Sequence, residues 1–147
     1  MYDLSDQKIT AVMITKTTTK RVLYADTDKM GYLYYGHYPM LYEIGRAELI
    51  RDLGLTYRHL EDELRVMMPV LELTSRYLRP ALYDDMLTIE TSIVERPTKM
   101  ITFHHKIYNQ DQNLLNKGTV KLFFIDMTTQ KRVSSPSYLS DKIDPFF

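Results

Sequence analysis

The sequence predicts an α+β fold in which an antiparallel sheet of about five strands wraps around one long central helix. Two observations carry this. One extended helical pattern, apolar on several faces, stands near the N-terminal end, and four or so strand patterns follow it in succession. Runs of strands with one segregated helix belong to the α+β class, and a helix apolar on several sides needs a sheet that curls around it. The 147 residues suffice for one domain with a sizeable core. No repeat, low-complexity tract or Pro/Gly-rich linker divides them, so residues 1–147 read as a single domain.

The first strand is expected over about residues 13–25, a Thr-rich stretch that ends in "RVLYA"; its β-branched content favours strand over helix. The helix is expected over about residues 34–53. Tyr38, Leu41, Tyr42, Gly45, Leu49 and Leu53 fall within about a third of its circumference. Met40, Ile44, Ala47 and Ile50 add apolar surface elsewhere, which predicts cover on more than one side. Gly45 in mid-helix costs about 1 kcal/mol against Ala, so a close backbone approach is expected there. Gly54 marks a stop, and Thr56 caps a second short helix in "TYRHLEDEL".

Strands follow. "VMMPVLELTSRYL" is extended, with Pro69 at an edge or a strand start. "DDMLTIETSIVE" puts Leu87, Ile89, Thr91 and Ile93 on one face, and "MITFHHKIY" does the same with Ile101, Phe103, His105 and Ile107. "KGTVKLFFID" is apolar on both faces from Val120 to Ile125, as a central strand is. "NQDQN" and "MTTQK" read as hairpin turns.

Lys+Arg and Asp+Glu both number 19, so no net field favours nucleic acid or an anionic membrane. The absence of cysteine excludes disulfides, thiolate metal sites and a Cys nucleophile, and fits a reducing cytosol. The N-terminal stretch lacks the apolar core of a signal peptide, and no apolar run approaches the roughly 20 residues of a membrane span. A cytoplasmic protein with no nucleic-acid or membrane partner is expected.

The chemistry concentrates in "YADTDKMGYLYYGHY", residues 24–38. Asp26 and Asp28 form a D-x-D pair ahead of Gly31 and the helix. Three readings are open for it: a Mg²⁺ site, which lacks a third acidic ligand nearby; turn or N-cap residues; or a carboxylate beside a helix N-terminus whose N–H groups polarise an acyl carbonyl. His104 and His105 are neighbours in a strand and face opposite sides, as packing or surface residues.

"RVLYADTDKMGYLYYGHYPMLYEIGRAELIR" resembles the signature of the hotdog-fold acyl-CoA thioesterases of the 4-hydroxybenzoyl-CoA thioesterase family: D-x-D-x-x-G, then an aromatic-rich Y-x-x-Y entering a helix with Y-x-E-x-x-R. "SRYLRPALYDDMLTIETSIVE" and "TVKLFFIDMTTQKRV" are similar to the family's strand entry and last hairpin, so the likeness spans about residues 18–135. It implies a hotdog fold, hydrolysis of an acyl-CoA thioester without a cofactor or metal, and a homodimer with interfacial sites, often paired into a homotetramer. It places Asp28 as nucleophile or general base, Tyr35 as the backbone oxyanion donor, and Gly31 as the turn that brings acyl group and backbone together. Glu43 takes the family's helical acidic position, against the alternative of an i,i+3 pair with Arg46. Asp26, Asp84 and Asp85 take structural positions. Tyr32, Tyr34 and Tyr38 are expected to line an acyl pocket, His37 to shuttle a proton or cap the helix entry, and Arg96 and Lys99 of "ERPTKM" to meet the phosphates of CoA. A non-catalytic acyl-CoA-binding domain competes with this reading, but the carboxylate at Asp28 opposes it. The dehydratase class needs a His motif that the chain lacks.

Overall fold

The computed structural model describes residues 13–147; the N-terminal stretch read for a leader lies outside the described residues. Strands β1 (Ile14–Arg21), β2 (Val66–Met67), β3 (Val70–Tyr77), β4 (Met86–Ile93), β5 (Met100–Tyr108), β6 (Leu114–Asp126) and β7 (Arg132–Val133) form one sheet. Every pairing is antiparallel, in the order β1-β4-β5-β6, with β3 and the short β2 along the far edge of β6. The helices are α1 (Tyr38–Asp52), α2 (Tyr57–Asp62) and α3 (Ser137–Ile143). The expected α+β arrangement is therefore the one observed. Among the described residues no helix is long and apolar enough to cross a membrane.

The differences are local and have local causes. The first strand stops at Arg21, not near residue 25, because residues 24–26 turn into a 3-10 helix in which the Asp26 carboxylate accepts the Leu23 N–H at 2.8 Å. The long helix starts at Tyr38, not at 34, because a 3-10 turn, Tyr35–His37, precedes it and Pro39 sits in its first turn. Its far end agrees with the sequence reading: Gly54 takes φ +86 just past the helix, and the Thr56 hydroxyl accepts the His59 N–H at 3.0 Å to cap α2. Pro69 splits the expected extended stretch into β2 and β3. Helix α3 escaped the sequence reading, although Leu139 and Ile143, one turn apart, are both fully buried.

Helix α1 buries Tyr38, Leu41, Tyr42, Gly45, Arg46, Leu49 and Ile50, and packs across β1, β4 and β5. Gly45 makes the close approach expected of it. A Cβ there would lie 2.1 Å from Thr91 Oγ1 and 2.9 Å from Ile89 Cγ2. The other faces are covered in part: Ile50 is fully buried and Ile44 and Ala47 are half-buried, as expected, while Met40 is exposed.

The core under α1 is partly polar. The Tyr42 hydroxyl donates to Asn116 Oδ1, Asn116 Nδ2 donates to Ser75 Oγ at 2.9 Å, and Ser75 Oγ lies 2.8 Å from the Tyr42 oxygen, which closes a ring of hydrogen bonds. His105 stacks on Tyr42 with ring centroids 4.6 Å apart and shares a proton between Nδ1 and Thr91 Oγ1 at 3.0 Å. Burial pushes its pKa down to about 3, so the imidazole is neutral. The i,i+3 reading of Glu43 is corrected: Glu43 is exposed and forms no ion pair among the described residues, whereas Arg46 is buried beneath α1.

Candidate active site

The D-x-D segment folds as a small hairpin. Thr27 bridges Leu33, and the Asp28 N–H donates to the Tyr32 carbonyl at 2.8 Å. The turn closes with the Gly31 N–H on the Asp28 carbonyl at 3.0 Å, and Gly31 adopts φ +80, where a side chain would be strained. Asp28 holds this turn with one carboxylate oxygen only. Its Oδ1 accepts the N–H groups of Met30 at 2.8 Å and Tyr32 at 3.2 Å, while Oδ2 has no protein donor among the described residues. Asp26 is the scaffold: besides capping Leu23, its carbonyl accepts the Tyr34 N–H at 2.9 Å. The Leu33 N–H on the Ala81 carbonyl, and a bridge from Tyr32 to Leu82, anchor the hairpin to the entry of β4. Asp84 and Asp85 shape that entry, Asp85 Oδ2 accepting the Leu82 N–H at 2.8 Å and Asp84 pairing with Arg21.

Asp28 lines a groove of about 290 Å³ together with Tyr32, Tyr35 and Tyr38. The other wall is Tyr77, Leu78, Arg79 and Pro80, with Met30 and Leu33 between. Tyr38 stands edge-on to Tyr77 at 5.1 Å, and burial raises its phenol to about 12, so it is a neutral wall residue. The Tyr77 hydroxyl donates to the Tyr35 carbonyl at 3.2 Å, in the peptide whose N–H belongs to Gly36. The N–H groups of Tyr35 and Gly36 donate to no protein acceptor among the described residues. They are the free donors that a helix entry leaves.

The groove gathers some of the expected residues and omits others. Tyr34 packs on Tyr35 and His37 instead of lining it, with centroids 4.9 and 5.5 Å away. Glu43 points to solvent from α1 and is not part of the lining. Arg96 and Lys99 lie on the β4–β5 hairpin outside the groove, and Arg96 pairs with Asp144 at 3.4 Å. The groove's own cation is Arg79, which the sequence reading passed over inside "SRYLRP". A larger cavity, about 670 Å³, contains none of these groups. It is the less suitable reaction site because Asp28 and the free N–H groups are absent from it.

Comparison with known proteins bears on the family and the fold. The family model of the thioesterase-like superfamily matches residues 22–143. The acyl-CoA thioester hydrolase YbgC of Escherichia coli O6:H1 is 34% identical over 116 residues, which cover 79% of this chain and 86% of that one. The DHNA-CoA thioesterase from Staphylococcus aureus superposes with a TM-score of 0.82 at 26% identity, over 90% of this chain and 88% of its own. A variant of 4-hydroxybenzoyl-CoA thioesterase, complexed with 4-hydroxybenzoyl-CoA, gives 0.79 over 88% and 98% of the two chains. At 20% identity, that last likeness concerns the fold alone.

Proposed function

The chain belongs to the thioesterase-like superfamily, and on that premise we propose that it hydrolyses an acyl-CoA to the free carboxylic acid and CoA, with Asp28 as the reacting carboxylate. The observation that carries the assignment is the pairing, in one groove, of a carboxylate oxygen without a donor and a helix-entry N–H without an acceptor. A thioester carbonyl held between them meets a base or nucleophile on one side. On the other it meets the Tyr35 N–H, which takes up charge as the carbonyl oxygen becomes an oxyanion. The C–S bond breaks, water supplies the oxygen consumed, either at the acyl carbon or by restoring the Asp28 carboxylate, and the leaving thiolate takes up a proton. Direct attack by Asp28 and activation of water by Asp28 give the same products. Single turnover in ¹⁸O-water tests for the direct route: attack by Asp28 expels the thiolate and forms a mixed anhydride, and water that opens it at the Asp28 carbonyl leaves label in that carboxyl group, whereas the general-base route leaves none there.

The four tyrosines and Leu78 supply apolar walls with polar tips, suited to an acyl or aryl group, and Arg79 supplies the charge for phosphate. We assign the exposed edge formed by β3 to a second copy of the chain. Val70, Leu71, Leu73 and Tyr77 all stand exposed along it, and an apolar strand edge with free backbone groups is the natural place for strand-to-strand pairing. Tyr77 and Leu78 also wall the groove, so such pairing extends the site across the interface. The roles expected for Arg96, Lys99 and Glu43 then depend on that assembly, in a homodimer or a homotetramer.

The test is CoA release from an aryl and aliphatic acyl-CoA panel, read with a thiol reagent; the cysteine-free chain adds no background. Asp28→Asn is expected to abolish most of the release while keeping fold and assembly. Turnover near wild type in that variant refutes the assignment.

A further inference from the structure

A second cavity, about 670 Å³ and larger than the Asp28 groove, lies on the sheet face turned away from α1. Strand alternation places Arg76, Lys106, Lys117 and Glu90 there, because the neighbouring Ser75, His105, Gly118 and Thr91 face the helix side. The register sets three of these directly against one another. Arg76 is opposite Lys117, Lys117 is opposite Lys106, and only then does Glu90 follow, opposite Lys106. Paired residues on neighbouring strands sit about 4.5–5.5 Å apart at Cα, and like charges so placed destabilise a sheet. None of the three cations forms an ion pair among the described residues.

Composition does not force this row. The chain has as many acids as bases, and elsewhere on the same strand pair Glu72 does stand opposite Lys121. The adjacent row in the cavity consists of Thr74, Thr119, His104 and Ser92. It offers hydroxyls, and an imidazole whose Nε2 is shielded from water without a hydrogen-bond partner. A repulsive row of cations beside a row of hydroxyls and an imidazole is a site whose missing element is an anion with several oxygen acceptors.

We propose that this cavity binds the phosphate groups of a nucleotide-sized ligand. Guanidinium and ammonium groups are the side chains that hold phosphate oxygens, and the volume lies within the range of small-molecule sites. The phosphates come either from the nucleotide end of a CoA or from a separate nucleotide. The proposal rests on the sheet face alone and stands whether or not the Asp28 groove hydrolyses thioesters.

Calorimetric titration of the full chain with ATP and with free CoA, at low salt, tests it. At least one of them is expected to bind saturably, and Lys106→Gln and Lys117→Gln are each expected to weaken that binding roughly 10-fold or more. Without ligand, the same variants should melt slightly above wild type, because a like-charge contact has been relieved. CoA binding that weakens in the variants, together with a raised KM for acyl-CoA, assigns the phosphates to the substrate; ATP binding with an unchanged KM assigns a separate nucleotide. No saturable binding of either probe, or equal binding in wild type and variants, overturns the proposal. So does a change of oligomeric state in the variants without a loss of anion binding, which would make the occupant the acidic surface of another copy.

Discussion

Replacing Gly45 by Ala opposes two effects of known sign. Alanine in mid-helix is favoured over glycine by about 1 kcal/mol. The new Cβ, however, would stand 2.1 Å from Thr91 Oγ1 and 2.9 Å from Ile89 Cγ2, so α1 must lift off the sheet or Thr91 must rotate. Overpacking of this kind costs about 1–3 kcal/mol. Moving the Thr91 hydroxyl also breaks its hydrogen bond to the buried His105 Nδ1, which costs roughly another 1–3 kcal/mol. The packing terms win, and Gly45→Ala should destabilise the protein by roughly 1–5 kcal/mol net. Urea unfolding followed by tyrosine fluorescence and circular dichroism measures it; the chain has no tryptophan to interfere. The sharper test is a cycle with Thr91→Ala. With Oγ1 gone, the nearest remaining atoms are Ile89 Cγ2 at 2.9 Å and the Cβ of residue 91 at 3.4 Å, so the Gly45→Ala penalty should fall by about 1 kcal/mol or more. Equal penalties in both backgrounds, or a stabilising Gly45→Ala in the parent, would refute the reasoning.

Other consequences follow from single contacts. The folded-state pKa of His105 is lowered to about 3 from the ordinary 6.5, so below pH 6.5 the unfolded chain takes up a proton that the folded chain refuses. Stability should fall as pH falls from 6.5 towards 3, by up to about 1.4 kcal/mol per unit, and His105→Gln should flatten that slope between about pH 5 and 6.5; parallel slopes in the two proteins would count against a buried neutral imidazole. Arg79→Gln should raise KM for acyl-CoA several-fold while leaving the phosphate-free acyl-pantetheine little affected, and an equal effect on both would place Arg79 at the acyl end. Val70→Lys on the exposed β3 edge should shift the protein towards monomer in size-exclusion chromatography and lower turnover with it; unchanged assembly would move the interface elsewhere.

The sequence made legible whatever is periodic or locally self-contained. The inward faces of β4 and β5, from Leu87 to Ile93 and from Ile101 to Ile107, alternate cleanly because each strand buries one face against α1. Gly54 and Thr56 announce a helix stop and a helix cap through chemistry confined to a few residues. The groove's second wall was not legible. Tyr77, Leu78 and Arg79 line the same groove as Asp28, and the Leu78 and Arg79 N–H groups that hold this wall both donate to the Leu115 carbonyl, a contact between residues far apart in sequence. The pairing offered as one alternative for Glu43 fails for the same reason. An i,i+3 rule sees Glu43, whereas the fold turns Arg46 into the core and Glu43 to solvent. The cation row is invisible to any local reading, since it exists only once β3, β5 and β6 are in register.

The proposed assignment gives Asp28 two tasks, one for each carboxylate oxygen, and two substitutions separate them by experiment. Oδ1 is committed to the N–H groups of Met30 and Tyr32, while Oδ2 has no donor among the described residues and Asp28 lines the groove. Asparagine retains a carbonyl oxygen that accepts the same two N–H groups, and it serves in such turns as well as aspartate does. Asp28→Asn should therefore melt close to wild type while its turnover collapses, since an amide neither attacks a thioester nor takes a proton from water. Alanine removes both tasks. The loss of a half-buried acceptor for two N–H groups should cost about 1 kcal/mol, which for a chain of this size lowers the melting temperature by roughly 3 °C. If Asp28→Ala melts with Asp28→Asn, Oδ1 does not hold the turn and the hairpin owes its shape to Gly31 and the Thr27–Leu33 bridge. If both variants lose turnover but only alanine loses stability, one side chain has been shown to build the site with one oxygen and work it with the other.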